Sequence, residues 1–330
     1  MHSSPVIDVH THMMSQPYLD LLREKGAPKY TFRTLPEGGE VVDMYNSPFL
    51  TLFPAMLDYE MRIKAMDQAR VDIAIVSLTS PSCYFGDADV SLRAAQIMND
   101  SFIEAQRAYP DRIRWLCSLP WQYPELARQE LKRCLDAGAV GVMVMANIDG
   151  NSLTDPAFVD VWQAIDDAAL PVLIHPTAPP AVDKLDMRKH NMVPPVGFVF
   201  DTTMAISRMI YDGFFDRFQK VKIIGAHGGG ALPFIAGRLD LCYDNIPTCA
   251  AHAEERPTQY LRRIYVDSVV HRQDVLQLCV NVCGPDNVLY GSDYPHNIGD
   301  MTGCLARVDS LDGDLRHAVR GRNAERLFKL

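Results

Sequence analysis

Histidine and aspartate side chains stand at the ends of four apolar, strand-like stretches of this chain. The stretches are residues 6–12 with His10 and His12, residues 172–175 with His175, residues 223–227 with His227, and residues 288–293 with Asp293. Because side chains alternate along a strand, the two histidines of the first stretch face the same side. Two neutral imidazoles supply half of a zinc-type coordination sphere. The pattern predicts a mononuclear metal site.

Three imidazole nitrogens and one carboxylate oxygen form the predicted ligand set, from His10, His12, His175 and Asp293. This borderline set suits one divalent metal ion, Zn²⁺ first and Mn²⁺ or iron as alternatives. Water bound to such an ion has its pKa lowered to about 7. We expect His227 to face the same site and to accept a proton from that water or return one to substrate.

Only a fold that brings distant strand ends together could assemble these residues. Eight short apolar runs occur, at residues 6–12, 72–78, 113–119, 141–145, 171–176, 222–227, 264–269 and 288–293. Segments with helical periodicity separate most of them, at 58–69, 90–108, 125–137 and 156–168. Eight strands alternating with helices favour an α/β fold of the distorted (β/α)8 TIM-barrel class over an open sheet. We expect one barrel domain over residues 1–330.

Two long segments do not fit simple strand-to-helix loops. Residues 13–55 are mixed in character and rich in proline and glycine, which predicts a small lid insertion after the first strand. Residues 177–203 follow the strand of His175 and contain four prolines, so they form a second predicted wall of the pocket. We expect substrate specificity to reside in these two segments.

Composition limits the classes of partner. The 330 residues carry 32 basic and 41 acidic side chains, a net charge of −9, which argues against nucleic acid or an anionic membrane as the main partner. No long apolar run or charged leader with an apolar stretch predicts membrane insertion or secretion. The eight cysteines show no C-x-x-C spacing and are interpreted as reduced thiols of a cytoplasmic protein.

Three further features have competing interpretations. His296 follows Asp293 by three residues and either lines the pocket or is an ordinary loop histidine. Asp8 is either an orienting partner of the ligands or a buried, hydrogen-bonded carboxylate. The glycines at 228–230 lack a phosphate-loop motif, so we interpret them as a close turn before a helix that starts at Ala231.

A larger set of motifs resembles the amidohydrolase superfamily. The motifs are Ile7-Asp8-Val9-His10-Thr11-His12, Ile174-His175-Pro176, Ala226-His227-Gly228-Gly229-Gly230 with Gly237-Arg238, Tyr265-Val266-Asp267-Ser268, and Leu289-Tyr290-Gly291-Ser292-Asp293-Tyr294-Pro295. Within the superfamily the chain is similar to the branch of 2-amino-3-carboxymuconate-6-semialdehyde decarboxylase and related aromatic acid decarboxylases. The resemblance implies a carboxy-lyase of aromatic compound catabolism that removes CO₂ without oxidation and uses one zinc or manganese ion.

The resemblance also assigns roles by position. It places the metal ligands on His10, His12, His175 and Asp293, and the water-activating or proton-shuttling histidine on His227. The arginine that members of the branch lend across a dimer interface to bind substrate carboxylate falls on Arg238. The resemblance therefore implies a homodimer acting on a small carboxylic acid.

Two positions depart from the branch. The branch has an arginine in its lid, which aligns with Leu50 or Thr51 here. It also has a tryptophan two residues beyond the histidine that aligns with His175, and this tryptophan position is Thr177 here. Neither a methyl nor a hydroxyl group replaces the bidentate grip of a guanidinium on a carboxylate. Arg33 is a candidate replacement. Residues 141–145 lack the lysine that bridges two metals in binuclear relatives, which favours a single metal.

The sequence leaves the reaction open between two outcomes. In a decarboxylase, Arg238 would orient the acid, His227 or Asp293 would protonate the substrate carbon, and CO₂ would leave; in the semialdehyde variant, metal hydroxide first adds to the substrate. The alternative is a metal-dependent hydrolase, lactonase or hydratase acting on an aromatic ring-cleavage product. A catalytically silent metal-binding protein would leave His227 without a role.

Overall fold

The computed structural model describes residues 4–36, 38–45 and 47–330. In chain order its strands are β1 (Ile7–His12), β2 (Tyr30–Thr34), β3 (Glu40–Met44), β4 (Ser47–Leu52), β5 (Ile73–Ser77), β6 (Ile113–Ser118), β7 (Gly141–Met145), β8 (Asn147–Ile148), β9 (Asn151–Ser152), β10 (Pro171–His175), β11 (Lys222–Gly225), β12 (Tyr265–Asp267) and β13 (Val288–Leu289).

The helices lie mainly between these strands. They are α1 (Gln16–Lys25), α2 (Tyr59–Ala69), α3 (Ala88–Ala108), α4 (Pro124–Asp136), α5 (Val159–Asp167), α6 (Phe198–Tyr211), α7 (Phe214–Arg217), α8 (Ala226–Gly229), α9 (Leu232–Asn245), α10 (Pro257–Leu261), α11 (Gln273–Cys283), α12 (Met301–Asp309), α13 (Gly313–His317) and α14 (Asn323–Phe328). Within the described ranges, no helix is long and apolar enough to cross a bilayer.

Eight parallel strands form the central sheet in the order β1-β5-β6-β7-β10-β11-β12-β13. The two edges meet again, because the Val9 amide donates to the carbonyl oxygen of Tyr290 at 3.0 Å and Thr11 forms a parallel bridge with Tyr294. The β1/β5 register shifts between Asp8 and Thr11, and β13 has only two residues. These irregularities distort the barrel, and the predicted fold class is confirmed.

Local sequence explains why the barrel strands are buried. Strand β10, with the sequence PVLIH, is buried at all five residues, as expected for a parallel strand covered on both faces. Helix α3 begins where the Asp87 carboxylate accepts a hydrogen bond from the Val90 amide at 3.0 Å. It ends before Pro110, where proline cannot continue the helical hydrogen bonds. The strand and its helix neighbours therefore form a continuous apolar core.

Residues 13–55 are more regular than a mixed loop. They contain α1 and a separate antiparallel sheet in the order β2-β3-β4. Ser15 is the N-cap of helix α1, and its hydroxyl accepts a hydrogen bond from the Tyr18 amide. The inner part of the insertion is buried at Val42 and Leu50, so its small sheet packs against the barrel. That it acts as a lid stays a prediction.

The predicted strands at 222–227 and 288–293 are too long. Strand β11 ends at Gly225 and β13 at Leu289. His227 and Asp293 lie beyond these ends with left-handed backbone, at φ 55° and φ 57°. A strand requires negative φ, so these residues cannot continue the ladder.

Candidate metal centre

Strands β1 and β10 position three histidines at one end of the barrel. His10 and His12 are fully buried and His175 is 3% exposed. The Nε2 atoms of His10 and His12 lie 3.1 Å apart. The ring centroid of His175 is 5.1 Å from that of His10 and 4.7 Å from that of His12. The sequence prediction that these three residues converge is thus reproduced by the fold.

Asp293 and His227 complete the cluster from the turns after β13 and β11. Asp293 Oδ1 lies 3.3 Å from His10 Nε2 and 3.2 Å from His12 Nε2. Its other oxygen, Oδ2, lies 3.4 Å from His227 Nε2. Non-glycine residues rarely adopt a left-handed backbone conformation. Those that do are found especially often at functional sites. The turns aim both side chains back over the strand ends.

Gly228 makes the His227 turn possible. Its φ is +66°, and a Cβ at this position would lie 2.5 Å from Cγ1 of Val270. Only glycine fits such a position without displacing its neighbour. The interpretation of residues 228–230 as a close turn agrees with this geometry, and the following helix, α9, begins at Leu232, one residue later than expected.

One buried carboxylate, that of Asp267 at the end of β12, holds two parts of the cluster. Its Oδ2 accepts from His10 Nδ1 at 2.6 Å and from the His227 amide at 2.9 Å. Its Oδ1 accepts from the Gly228 amide at 2.9 Å. Asp267 is part of one of the sequence motifs, but no role was predicted for it from the sequence. Its position as an acid at the end of a predicted barrel strand was a usable signal.

Hydrogen bonds fix the orientation of the other imidazoles. His175 Nδ1 donates to the carbonyl oxygen of Pro176 at 2.9 Å, which leaves its Nε2 as a lone-pair nitrogen. His12 Nδ1 contacts the Ser77 hydroxyl at 3.2 Å. Outer partners of this kind select the tautomer in which the inner nitrogen can bind a metal.

The buried polar atoms of the cluster fit a bound cation. His175 Nε2 and Asp293 Oδ1 are buried and have no hydrogen-bond partner among the described residues. Ligand atoms of His10, His175, His227 and Asp293 lie within 4.8 Å of one another, and those of His12, Asp293 and His296 form an overlapping group. Buried acceptors without a donor are costly. A divalent ion that accepts nitrogen and oxygen ligands would satisfy them.

Electrostatics divide the histidines into two kinds. Burial lowers the pKa of His12 to about 3, and burial also places the pKa of His175 well below its ordinary value. Both rings are therefore neutral, as metal ligation requires. Burial acts in the same direction on His10, but the Asp267 carboxylate, with Asp293, raises its pKa to about 10. Without a cation, His10 retains a proton that metal binding would release.

His296 belongs to the cluster and is not an ordinary loop histidine. Its Nε2 contacts the Thr79 hydroxyl at 3.0 Å, and its ring centroid lies 5.0 Å from that of His12. Burial lowers its pKa. The sequence alone left both interpretations of His296 open, because a position three residues after Asp293 does not determine the path of the turn.

Behind the histidines, Asp8 and Arg62 hold the backbone of β1. Asp8 accepts from the Ser292 hydroxyl at 2.5 Å and from the Ser292 amide at 3.1 Å, so it ties β1 to the turn of Asp293. Burial raises its pKa to about 6. The fully buried Arg62 of α2 donates to the Thr11 hydroxyl at 2.7 Å and to the His12 carbonyl oxygen at 2.5 Å. Asp8 is thus a buried, hydrogen-bonded carboxylate. No motif or spacing in the sequence pointed to Arg62.

Three cavities lie at or near the cluster, of which the smallest has four cluster residues in its wall and another, of about 300 Å³, has His227 in its wall. The inner chamber, about 110 Å³, is lined by Val41, Phe49, Leu50, Thr51, Phe53, Thr79, Ser80, His175, Asn191, Pro194, Phe198, His227, Asp293, His296, Asn297 and Ile298. Among the described residues its wall contains no lysine or arginine. Leu50 and Thr51, the positions that correspond to the branch's lid arginine, are both in this wall.

The outer chamber is larger, about 650 Å³, and lies beside the inner one. Thr177 lines it and donates its amide to Asp201 Oδ2 at 2.9 Å. Arg33 is exposed on β2, pairs with Asp43 at 3.1 Å, and lines neither chamber. Arg238 is exposed on α9 and also lines neither. The substrate-binding roles of these three residues stay predictions.

Comparison with known proteins agrees with this geometry. The profile of the Amidohydrolase family matches residues 7–330. The 2-amino-3-carboxymuconate-6-semialdehyde decarboxylase of Dictyostelium discoideum is 31% identical over 300 residues, which cover 89% of this chain and 83% of that protein.

Solved structures give the same result. The 5-carboxyvanillate decarboxylase LigW of Sphingomonas paucimobilis superimposes with a TM-score of 0.87 at 28% identity, covering 99% of this chain and 100% of that one. A variant of LigW2 from Novosphingobium aromaticivorans, bound to manganese and 3-methoxy-4-hydroxy-5-nitrobenzoic acid, gives 0.85 at 25% identity and covers 99% and 97% of the two chains. The chain described here therefore belongs to the Amidohydrolase family.

Proposed function

We propose that this protein is a metal-dependent, non-oxidative decarboxylase of an aromatic hydroxy acid or a carboxymuconate semialdehyde-like acid. The observation that carries the proposal is the buried cluster of histidines with Asp293, whose ligand atoms lie within 4.8 Å of one another. The chain that carries this cluster belongs to the Amidohydrolase family. The similar proteins cited above are decarboxylases. The enzyme would be a carboxy-lyase of aromatic compound catabolism.

In this proposal the metal is held by His10, His12, His175 and Asp293. Three nitrogens and a carboxylate suit Zn²⁺, with Mn²⁺ as the alternative, and manganese is the ion bound in the LigW2 structure. When bound, the ion would stabilise negative charge on a substrate oxygen next to the carboxylate. The unpartnered atoms of His175 and Asp293 support this ligand set.

His227 is the proposed proton donor. Its Nε2 lies 3.4 Å from Asp293 Oδ2, so the two groups can share a proton beside the inner chamber. Delivery of this proton to the ring carbon that bears the carboxylate forms a C–H bond. The C–C bond to the carboxylate then breaks, its electron pair returns to the ring, and CO₂ leaves. The redox state of the protein does not change.

Arg238 is proposed to bind the substrate carboxylate from a second copy of the chain. The inner chamber has no lysine or arginine of its own among the described residues, and Arg238 is exposed on α9. An exposed guanidinium is available to a neighbouring subunit and grips a carboxylate through two hydrogen bonds. The proposal therefore includes a homodimer.

We also propose one barrel domain over residues 1–330, in a cytoplasmic protein whose partner is a small carboxylic acid. The eight cysteines are free, which suits a reducing compartment. The net charge of −9 disfavours nucleic acid and anionic membranes as partners.

Hydrolysis, lactone opening or hydration of a ring-cleavage product is the second candidate. The observation in its favour is the apolar or hydroxyl character of Leu50 and Thr51, where the decarboxylase branch places an arginine. A wall without that cation binds a neutral carbonyl compound as readily as an acid.

The test is a panel of ortho-hydroxylated benzoates and carboxymuconate semialdehydes, with metal content measured on the same sample. Release of CO₂ with a product smaller by one carboxyl group, at one metal per chain, is the expected result. Metal-loaded protein that leaves all acids intact but consumes lactones or ring-cleavage products would instead establish the second candidate.

A further inference from the structure

The outer chamber lies directly beside the inner one. Phe49, Asn191 and Pro194 line both cavities and form the partition between them. Thr177, two residues beyond His175, lies in the outer wall. If a molecule held at the metal cluster carried a long substituent, that substituent could therefore reach the outer chamber.

The two volumes differ about sixfold. The inner chamber measures about 110 Å³ and the outer about 650 Å³. Cavities of roughly 300 to 1,000 Å³ are typical of sites that enclose drug-sized ligands. An acid with a single ring at the metal cluster would leave most of the outer chamber filled only with water.

Among the residues that the structure describes, the wall of the outer chamber offers no unpaired charge. Its two cations are each paired with an acid of the same wall, Lys29 with Asp149 and Arg188 with Asp183. The formal charges of these four side chains sum to zero. A second carboxylate placed there would lose its hydration without gaining a free cation. The occupant is therefore uncharged.

Polar groups of the wall are also largely paired. The side-chain amide of Asn147 donates to both oxygens of Asp201, at 2.9 and 3.0 Å, and its oxygen accepts from the Gly150 amide at 2.9 Å. The Ser47 hydroxyl accepts from Arg188. The rest of the wall is mainly apolar, with the polar side chains of Tyr45, Thr177 and Asn191 beside aromatic, proline and aliphatic side chains that include Tyr30, Met44, Phe49, Pro179, Val182 and Val193. Such a surface stabilises apolar groups by burial.

We propose that the substrate is a hydroxyaryl monocarboxylic acid with a bulky, uncharged and mainly apolar extension. The ring with the carboxylate occupies the inner chamber, and the extension, a second ring or a chain of similar size, occupies the outer chamber. This inference rests on the proposed decarboxylase function and narrows its substrate class. It excludes acids whose distal end carries another carboxylate.

The test compares matched acids, with and without the extension, in two measurements. Calorimetry gives the affinity of the metal-loaded protein for each acid, and CO₂ release gives kcat/KM. Val182→Trp fills the outer chamber from one wall, and Val193→Trp does so from another segment. Lys184→Trp is the matched control, because Lys184 is exposed in the same loop as Val182 and lines neither chamber.

The extended acid is expected to exceed its parent by at least about tenfold in affinity and in kcat/KM. Val182→Trp and Val193→Trp should each lower that ratio about tenfold or more, whereas Lys184→Trp should preserve it. Equal affinity for both acids, or an unchanged ratio in folded Val182→Trp and Val193→Trp, would overturn the inference. If the protein releases CO₂ from the parent acids and shows no preference for the extended acid, only the inference about the extension is rejected. If it binds the extended acid more tightly but releases no CO₂, only the proposed decarboxylase function is rejected.

Discussion

At the scale of single residues, Asp267 connects the candidate ligand His10 to the turn that presents His227. Its carboxylate is fully buried and accepts from His10 Nδ1 and from three backbone amides, those of His227, Gly228 and Val269. Burial alone would raise its pKa, but His10 lowers it, so the group is ionised. An ionised acceptor at His10 Nδ1 makes Nε2 a better ligand.

We expect Asp267→Asn to weaken metal binding by about 10- to 100-fold, because an amide cannot accept all of these hydrogen bonds. Titration of the metal-free protein with Zn²⁺ and Mn²⁺ measures the effect. Asp312→Asn changes an exposed aspartate without a side-chain capping bond and should leave the affinity unchanged. Equal affinities for Asp267→Asn and the wild type would show that His10 is oriented in another way.

His227 should separate metal binding from turnover. We expect His227→Ala to retain the metal on the four proposed ligands and to lose turnover by roughly 100-fold or more, because the variant lacks the proposed proton donor. Metal analysis and rate measurements on the same sample test this, with His252→Ala, at an exposed histidine, as the control. A variant that retained full activity would remove His227 from the mechanism, and loss of the metal would make His227 a ligand.

The sequence predicted the converging histidines and Asp293 but missed their supports. Metal-seeking residues at strand ends follow from periodicity, which is local information. The contact of Arg62 with the His12 carbonyl oxygen joins residues 50 positions apart. That contact depends on how α2 packs behind β1, which no spacing in the sequence encodes.

At the scale of elements, the ends of the barrel strands set the geometry of the site. The sequence predicted strands running through His227 and Asp293, whereas both residues lie in left-handed turns. Hydrogen bonds from the Asp267 carboxylate to the amides of His227 and Gly228 stabilise one of these turns. The apolar pattern could not reveal the strand ends, because the residues that follow directly, Ala226 after β11 and Tyr290 after β13, are also buried and apolar.

Helix α6 is tied to the ends of β7 and β10 through Asp201, and this link should depend on pH. Burial raises the pKa of Asp201 from 3.8 to about 6. The folded state thus holds a proton between about pH 4 and pH 6 that the unfolded state has lost. The stabilisation that this bound proton contributes is complete below the pKa that Asp201 has in the unfolded chain. It is lost as the pH rises through the pKa that Asp201 has in the folded protein.

Asp201→Asn should remove this dependence. The free energy of unfolding of the wild type, relative to that of the variant, is expected to decrease by up to about 3 kcal/mol as pH rises from about 4 to about 6. Urea unfolding across this range measures it. Asp186→Asn, at an exposed aspartate near the outer chamber, should show a flat difference. A flat difference for Asp201→Asn as well would show that its pKa is not raised.

At the scale of the whole molecule, the barrel class was predictable and the chambers were not. Eight apolar runs of suitable length sufficed for the barrel, because each buried parallel strand is continuously apolar. The chambers form between the barrel and residues 13–55 and 177–203. Packing of those proline-rich segments depends on contacts between distant parts of the chain, such as that of Arg188 with Ser47.

The proposed sharing of Arg238 between two subunits has a direct consequence for mixtures of variants. Arg238→Ala and His227→Ala should each be inactive as homodimers. After subunit exchange at equal amounts, about half of the dimers are mixed, and one site in each has both residues, so about a quarter of wild-type activity should return. No recovery in a mixture shown by mass to contain mixed dimers would place Arg238 in its own subunit's site or outside any site.

Metal-dependent decarboxylation at this cluster can be tested with a carboxyl-¹³C-labelled hydroxyaryl acid turned over in D₂O. We expect equimolar ¹³CO₂ and a product with one deuterium at the carbon that carried the carboxylate, from metal-loaded but not from metal-stripped protein. Metal-loaded protein that consumes the acid while the label stays in the organic product, or that releases ¹³CO₂ equally without metal, would contradict this expectation.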